Sequence, residues 1–242
     1  MAVAVIPYDN RDPLKYLYRT INNVRQMNVD VIIVDTSFNI YPPGVKRIKQ
    51  KNKGIGGARY DGFKYALEQG YDCIINADSH IMIFGDLNDL CKTKTFASTY
   101  HHPWIETPIS ITFPIKIYAS IVYADEGKIY WCTLLEKPQY LPMTSEPLYA
   151  VKANVLELIL DKYLQFTSYG LDNVALYWAP EGEIIDTVYY YHLGVLDRGK
   201  SLKRKPIDEE AEKFVTLYPR IKSKVDPILN TQVKRACFQL WP

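Results

Sequence analysis

Between Asn52 and Ile83 the chain runs through a glycine-rich approach, a helix, a strand and a polar triplet, and few folds accept that order. Ala58, Gly62, Tyr65 and Ala66 fall along one side of a helix, and Gly70 stands where a left-handed C-terminal residue belongs. Tyr71 to Ala77 is short and apolar, the pattern of a buried strand. Asp78-Ser79-His80 follows at once, so a carboxylate and an imidazole leave the carboxyl end of a strand together. Open α/β sheets bind ligands along that edge. One carboxylate and one imidazole suit Mn²⁺ or a similar ion that accepts both oxygen and nitrogen donors.

The whole-chain numbers fit an α/β domain. At 242 residues the chain can form one large domain or two small ones. A net charge of +2 argues against a dedicated nucleic-acid binder, which would carry a basic stripe. Met1 to Tyr8 does not resemble a signal peptide and runs straight into a strand. Ile109 to Ala124 is broken by Pro114 and Lys116 and is too short to span a bilayer. Cys73, Cys91, Cys132 and Cys237 are scattered, without a closely spaced pair, which argues against zinc or a disulfide framework. They read as reduced core thiols of a cytoplasmic protein, with a disulfide in a heat-adapted host as the alternative. The 20 tyrosines read first as strand and interface packing, and second as sugar-stacking groups.

In chain order, Ala2 to Pro7 predicts a central strand, and Asp12 with Pro13 predicts the cap and first residue of a helix. Leu14, Leu17, Ile21 and Val24 give that helix one apolar face. Val29 to Val34 predicts a second strand closed by Asp35, so the opening is a right-handed βαβ unit. Val45 to Ile48 predicts a short third strand. Lys53 and Arg59 stand apart from the solvated lysines around them. Arg59, one turn into the helix, can meet a diphosphate with help from backbone N–H groups at the helix start, or form a salt bridge on the helix surface. Further on, the pattern predicts a short helix over Gly85 to Cys91, a strand over Phe96 to Tyr100 and a loop at His101-His102. Strand or helix pieces follow around a turn at Asp125 to Lys128. Pro147 to Lys152 predicts a strand, Asn154 to Tyr163 a helix, Glu183 to Tyr191 a strand, and Asp208 to Leu217 a helix. The apolar C-terminal residues are expected to dock on the domain, a partner or a membrane surface.

With these residues in place, the chain resembles the nucleotide-sugar-binding half of GT-A glycosyltransferases over residues 1–195. Asn52, Gly54, Ala58, Arg59 and Gly62 carry the resemblance, with Gly70-Tyr71-Asp72 and the Asp78-Ser79-His80 triplet behind them. The family-2-like enzymes and the polypeptide N-acetylgalactosaminyltransferases, whose metal motif is also Asp-x-His, are the nearest relatives in pattern. The resemblance implies that Pro7, Tyr8, Asp9 and Asp35 contact the nucleotide, along with Lys53, Gly56, Arg59, Asp78 and Ser79. It also implies that His192 joins Asp78 and His80 as the third metal ligand. Gly170-Leu171-Asp172-Asn173 is similar to the acceptor-side motif of those enzymes, with Asp172 and Asn173 in the catalytic positions. Arg198 to Lys205 would then be a loop that closes over the donor, or a solvated linker.

The expectation is an α/β GT-A domain (1–195), a mostly parallel sheet with helices on both faces. Residues 196–242 then form a basic loop and a helical C-terminal extension. The function expected is transfer of a sugar from a nucleoside-diphosphate donor, UDP or GDP type, to a glycan, protein, lipid or small-molecule hydroxyl, with Mn²⁺ or Mg²⁺. Nucleotidyl transfer is the competing enzyme class, although its usual glycine-rich loop after the first strand is replaced by Pro7-Tyr8-Asp9-Asn10. A non-catalytic nucleotide- or sugar-binding protein is the other alternative.

Overall fold

The computed structural model describes residues 1–8, 13–36, 41–102, 116–139, 141, 147–168, 170–193 and 206–242. The opening strand β1 (Ala2–Tyr8) is buried from Val3 onward. Its residues alternate between two cores: Val3 and Val5 join one hydrophobic cluster, Ala4 and Ile6 the other. A strand covered on both faces has no polar side, which is why this segment reads as an unbroken apolar run. Helix α1 (Leu14–Gln26) covers one face with Leu17, Ile21 and Val24. Pro13, with an extended ψ of 131°, sits at the N-cap rather than at the first helical position. The cap predicted at Asp12 lies outside the described residues.

Strands β2 (Asp30–Asp35) and β3 (Val45–Lys49) run parallel to β1, and helix α2 (Gly54–Glu68) leads into β4 (Cys73–Ala77) on its other side. α2 lies very close to the sheet. A Cβ on Gly62 would come within 2.3 Å of Val5 Cγ1 and 2.7 Å of Val34 Cγ2, so no larger residue fits. Gly70, with φ of +78°, follows the helix end as expected.

The sheet continues through β9 (Leu148–Lys152), β6 (Phe96–His102), β10 (Glu183–His192) and β5 (Ile81–Phe84), giving the order β3-β2-β1-β4-β9-β6-β10-β5. Only β9 and β5 run against the rest, so this mixed α/β sheet is mostly parallel, as expected. The carboxyl ends of β1, β2, β4, β6 and β10 therefore share one edge. His101 and His102, expected in a loop, extend β6 because they pair with Tyr190 and Tyr191. The sequence gives no sign of that distant partner.

A second sheet was not foreseen. Strands β7 (Ala119–Asp125) and β8 (Lys128–Leu134) form a hairpin, and β11 (Arg235–Trp241) returns from the end of the chain to pair with β8. Glu126 and Gly127 turn the hairpin with φ of 47° and 78°, the two positive values of a type I′ turn. Helix α3 (Ala153–Ile159) tightens into a 3-10 segment over Leu160–Leu164 where the helix predicted to Tyr163 would have continued. The helix expected at Gly85 to Cys91 is a 3-10 turn, Leu87–Lys92. Helices α4 (Asp208–Leu217) and α5 (Lys222–Leu229) precede β11.

The cysteines correct the reduced-thiol expectation. Cys73 bonds to Cys91 and Cys132 to Cys237. Both pairs are made by packing: Cys132 and Cys237 stand opposite each other in β8 and β11, 105 residues apart in sequence. A cross-link of that span stabilises a chain by about 4–5 kcal/mol in the chain-entropy account. Disulfides persist in oxidising compartments and inside hyperthermophiles, so thiol state no longer argues for the cytoplasm. Among the described residues no helix is long and apolar enough to cross a membrane.

Candidate functional site

The polar triplet after β4 and the end of β10 meet at the shared edge of the sheet. Asp78 leaves β4 with its side chain 18% exposed, and His80 turns the chain into β5. Ile81 of β5 pairs with His192 of β10, and the Leu193 N–H donates to the His80 carbonyl at 2.7 Å. These backbone links hold the two imidazoles side by side, with centroids 5.4 Å apart and planes 16° apart. Helix α1 fixes the same turn from behind: the Thr20 hydroxyl donates to the Ile81 carbonyl at 2.8 Å, and the Ile83 N–H donates to Asn23 Oδ1 at 2.6 Å. One donor atom from each of Asp78, His80 and His192 falls within 4.8 Å of the others. Donors on opposite sides of an ion with bonds of about 2.1 Å stand about 4.2 Å apart, so small side-chain movements suffice to close on a cation. Two imidazoles and one carboxylate fit Mn²⁺, Fe²⁺ or Zn²⁺ better than Mg²⁺, which prefers oxygen donors throughout.

Behind this cluster lies a second one, fully inside the protein. Arg59 is 2% exposed, so it is neither on the helix surface nor open to solvent. Its Nε donates to Asn76 Oδ1 at 2.9 Å, its Nη1 bonds to Asp172 Oδ2, and its Nη2 lies 3.7 Å from Asp78 Oδ1. Burial alone would lower the guanidinium pKa, but Asp172, Tyr149 and Asp78 together hold it above its ordinary value, so the cation is firmly kept. Asp172 also accepts from the Gly170 N–H at 2.9 Å. Asn173 Oδ1 accepts from the Tyr149 hydroxyl at 3.0 Å, and Tyr149 meets the Tyr163 hydroxyl at 3.0 Å. The Asn173 Nδ2 is buried without a hydrogen-bond partner among the described residues. Burial pushes the Tyr149 phenol up to about 12, with Arg59 pulling the other way.

The other expected site residues are placed as follows. Asp35 is fully buried at the end of β2, where it accepts from Arg47 Nε at 2.7 Å and from the Tyr41 hydroxyl. Pro7 and Tyr8 are buried at the end of β1. Asp9 lies outside the described residues, as does the basic loop Arg198 to Lys205. Lys53 is exposed at the N-cap of α2. Gly56 is used for packing: a Cβ there would meet the Phe166 and Tyr163 carbonyls at 2.6 and 2.7 Å, and its N–H bonds to the Thr167 carbonyl. Ser79 is buried, its hydroxyl 3.4 Å from His80 Nδ1.

Sequence reading missed Asn76, Tyr149 and Tyr163, which enter through β4, β9 and the segment after α3. It also missed Glu210 of α4, whose carboxylate accepts from the N–H and hydroxyl groups of Thr167 and Ser168 at 2.7–3.0 Å. No local pattern marks them; only the folded chain assembles them. Tyr100, Tyr189 and Phe84 stand face to face across neighbouring strands, with centroids 5.1–5.4 Å apart and planes 9° apart. Rings stacked on each other present edges outward, which favours the packing reading over sugar stacking.

No protein-family model matches the chain. An uncharacterized 26.8 kDa protein of Thermoproteus tenax virus 1 (strain KRA1) is 27% identical over 236 residues, covering 92% of this chain and 93% of that one. A Bacillus anthracis chain described as a glucose-1-phosphate thymidylyltransferase, solved with sucrose, is 12% identical at a TM-score of 0.49, covering 84% of this chain and 96% of that one. A UDP-glucose pyrophosphorylase of Acinetobacter baumanii is 12% identical at a TM-score of 0.47, covering 95% of this chain and 98% of that one. Likeness at these scores carries no argument about chemistry.

Proposed function

We propose that the chain is a metal-dependent glycosyltransferase that takes its sugar from a nucleoside-diphosphate donor. The observation that carries this reading is the Asp78–His80–His192 cluster at the carboxyl edge of a mostly parallel sheet, where such sheets bind ligands. Asp78, His80 and His192 would hold the cation. When bound, it supplies positive charge to a departing diphosphate. Arg59 helps aim Asp78, because its guanidinium lies 3.7 Å from Asp78 Oδ1 and leaves Oδ2 on the side of His80.

Asp172 is committed to Arg59 and to the Gly170 N–H, and Asn173 cannot accept a proton. This supports a reaction without a side-chain base, in which the leaving diphosphate takes the acceptor proton and the sugar keeps its anomeric configuration. Asp172 then positions Arg59, and Asn173 retains one amide donor for a ligand.

Incubation with UDP- and GDP-sugars, with and without Mn²⁺, tests the proposal. Release of nucleoside diphosphate that depends on Mn²⁺ is expected. Pyrophosphate release from a nucleoside triphosphate and a sugar phosphate would instead identify nucleotidyl transfer, and binding without turnover a non-catalytic protein. Proton NMR of the product's anomeric centre then reads the stereochemistry, and inversion would overturn the base-free route.

A further inference from the structure

The two sheets have four edge strands among the described residues, and the protein closes off three of them. β3 is basic, with Lys46, Arg47 and Lys49 among its five residues, and such charges discourage pairing with another chain. The outward N–H groups of β5, from Ile81 and Ile83, donate to Thr20 and Asn23 of α1 at 3.2 and 2.6 Å. On β7 the Val122 N–H and carbonyl both bond to the Tyr177 hydroxyl, at 3.2 and 2.5 Å. β11 has no such device among the described residues. Ala236, Cys237, Phe238 and Gln239 are exposed, Phe238 by 49%, and Arg235 is the strand's one charged residue.

The direction of its free groups follows from the pairing. The Lys234 carbonyl accepts from the Leu135 N–H, so by alternation Ala236 and Phe238 also bond to β8. Arg235, Cys237 and Gln239 then turn their N–H and C=O groups outward. The Cα–Cα distance of 4.0 Å between Cys132 and Cys237 is the short spacing of a pair that does not exchange hydrogen bonds, which agrees.

We propose that this edge pairs with a second copy of the chain, β11 against β11, antiparallel about a two-fold axis at Cys237. The strand is self-complementary in that register. Arg235 falls opposite Gln239 of the other copy, so no like charges meet. Phe238 falls opposite Ala236, a large side chain on a small one, with Trp131 stacked behind it at 6.2 Å. The three outward residues of each copy can exchange about six backbone hydrogen bonds, and the three-stranded sheets of both copies become one. A two-fold contact of this kind closes on itself and stops at a dimer.

Sedimentation equilibrium on the full chain tests this. A mass twice the 28.0 kDa of one chain is expected at micromolar concentration. Amide exchange at Cys237 and Gln239 should slow as the protein is concentrated, while Ala236 and Phe238 stay unchanged. Gln239→Pro removes an outward N–H and Phe238→Lys puts a charge on the packed face; each should weaken association about tenfold or more. Circular dichroism and intact disulfides show that the variants fold. A monomer at every concentration, a dimer indifferent to both variants, or open-ended polymers would overturn the proposal. So would a monomer that sediments with anionic lipid vesicles through Phe238, since the strand would then serve a membrane.

Discussion

Two polar clusters lie against each other at the carboxyl edge of the main sheet, and they are finished differently. In the inner one, Arg59, Asp172, Asn76, Asn173, Tyr149 and Tyr163 are joined by hydrogen bonds and a buried ion pair, with the Asn173 Nδ2 as the one group left over among them. In the outer one, Asp78, His80 and His192 bring one donor atom each within 4.8 Å of the others, with Asp78 Oδ2 and His80 Nε2 3.9 Å apart and the imidazoles stacked. Both clusters use the residue types that mark active sites. A carboxylate already matched by a buried guanidinium serves the fold, whereas donors held together by backbone links and left to converge can serve a ligand. Asp78 belongs to both, which makes it the hinge of the contrast.

The largest expected effect comes from breaking the inner cluster. Arg59→Met leaves Asp172 buried without its counter-charge and should cost about 3–5 kcal/mol, read as a shift in the urea unfolding midpoint. Adding Asp172→Leu should recover part of that loss, since the uncompensated charge is then gone. Two independent losses that simply add would show that the pair does not work as a unit.

Breaking the outer cluster should weaken metal binding more than it weakens the fold. Asp78→Ala deletes the anionic ligand at a partly exposed position. Mn²⁺ affinity by isothermal titration should drop on the order of 10²-fold or more, while the unfolding midpoint falls less than in Arg59→Met because Asp172 still pairs with Arg59. If Mn²⁺ binds equally well, the metal site is elsewhere.

Alkaline pH should separate the clusters next. Burial raises the Tyr149 phenol from 10.0 to about 12, so between those values the folded chain holds a proton that the unfolded chain has lost. The stabilisation is complete below pH 10 and disappears as pH rises through about 12, amounting to about 2–3 kcal/mol. Urea midpoints measured from pH 9 to 12 should fall, and the fall should be shallower in Tyr149→Phe. An identical slope in that variant would remove Tyr149 as the source.

At the acid side the outer cluster responds. Imidazoles bind metal only when neutral, so Mn²⁺ affinity should weaken by up to about tenfold per histidine for each pH unit below the imidazole range. A flat binding profile from pH 5 to 8 would argue against His80 and His192.

The sequence determined the elements and their order where local chemistry decides. The apolar run of β1, the amphipathic spacing of α1, the helix of Gly54–Glu68 ending at Gly70, and the Asp78–His80 triplet after β4 are all visible in the string of residues. Asp78 and His80 could be named as candidate ligands from their place at a strand end, whereas His192 was named only through the family resemblance. The fold brings one donor atom of each within 4.8 Å of the others. What only the tertiary structure decided depends on contacts between distant segments. Arg59 read as a diphosphate contact or a surface salt bridge because helix position says nothing of Asp172, which arrives from 113 residues away to pair with it. Gly54 and Gly56 allow the helix start to lie against the backbone of residues 163–167, a closeness that no local pattern announces. The scattered cysteines became two disulfides, and the apolar tail became a strand of a second sheet, for the same physical reason. Side-chain type and local period are written in the sequence, but which distant backbone lies 4–5 Å away is set only when the whole chain packs.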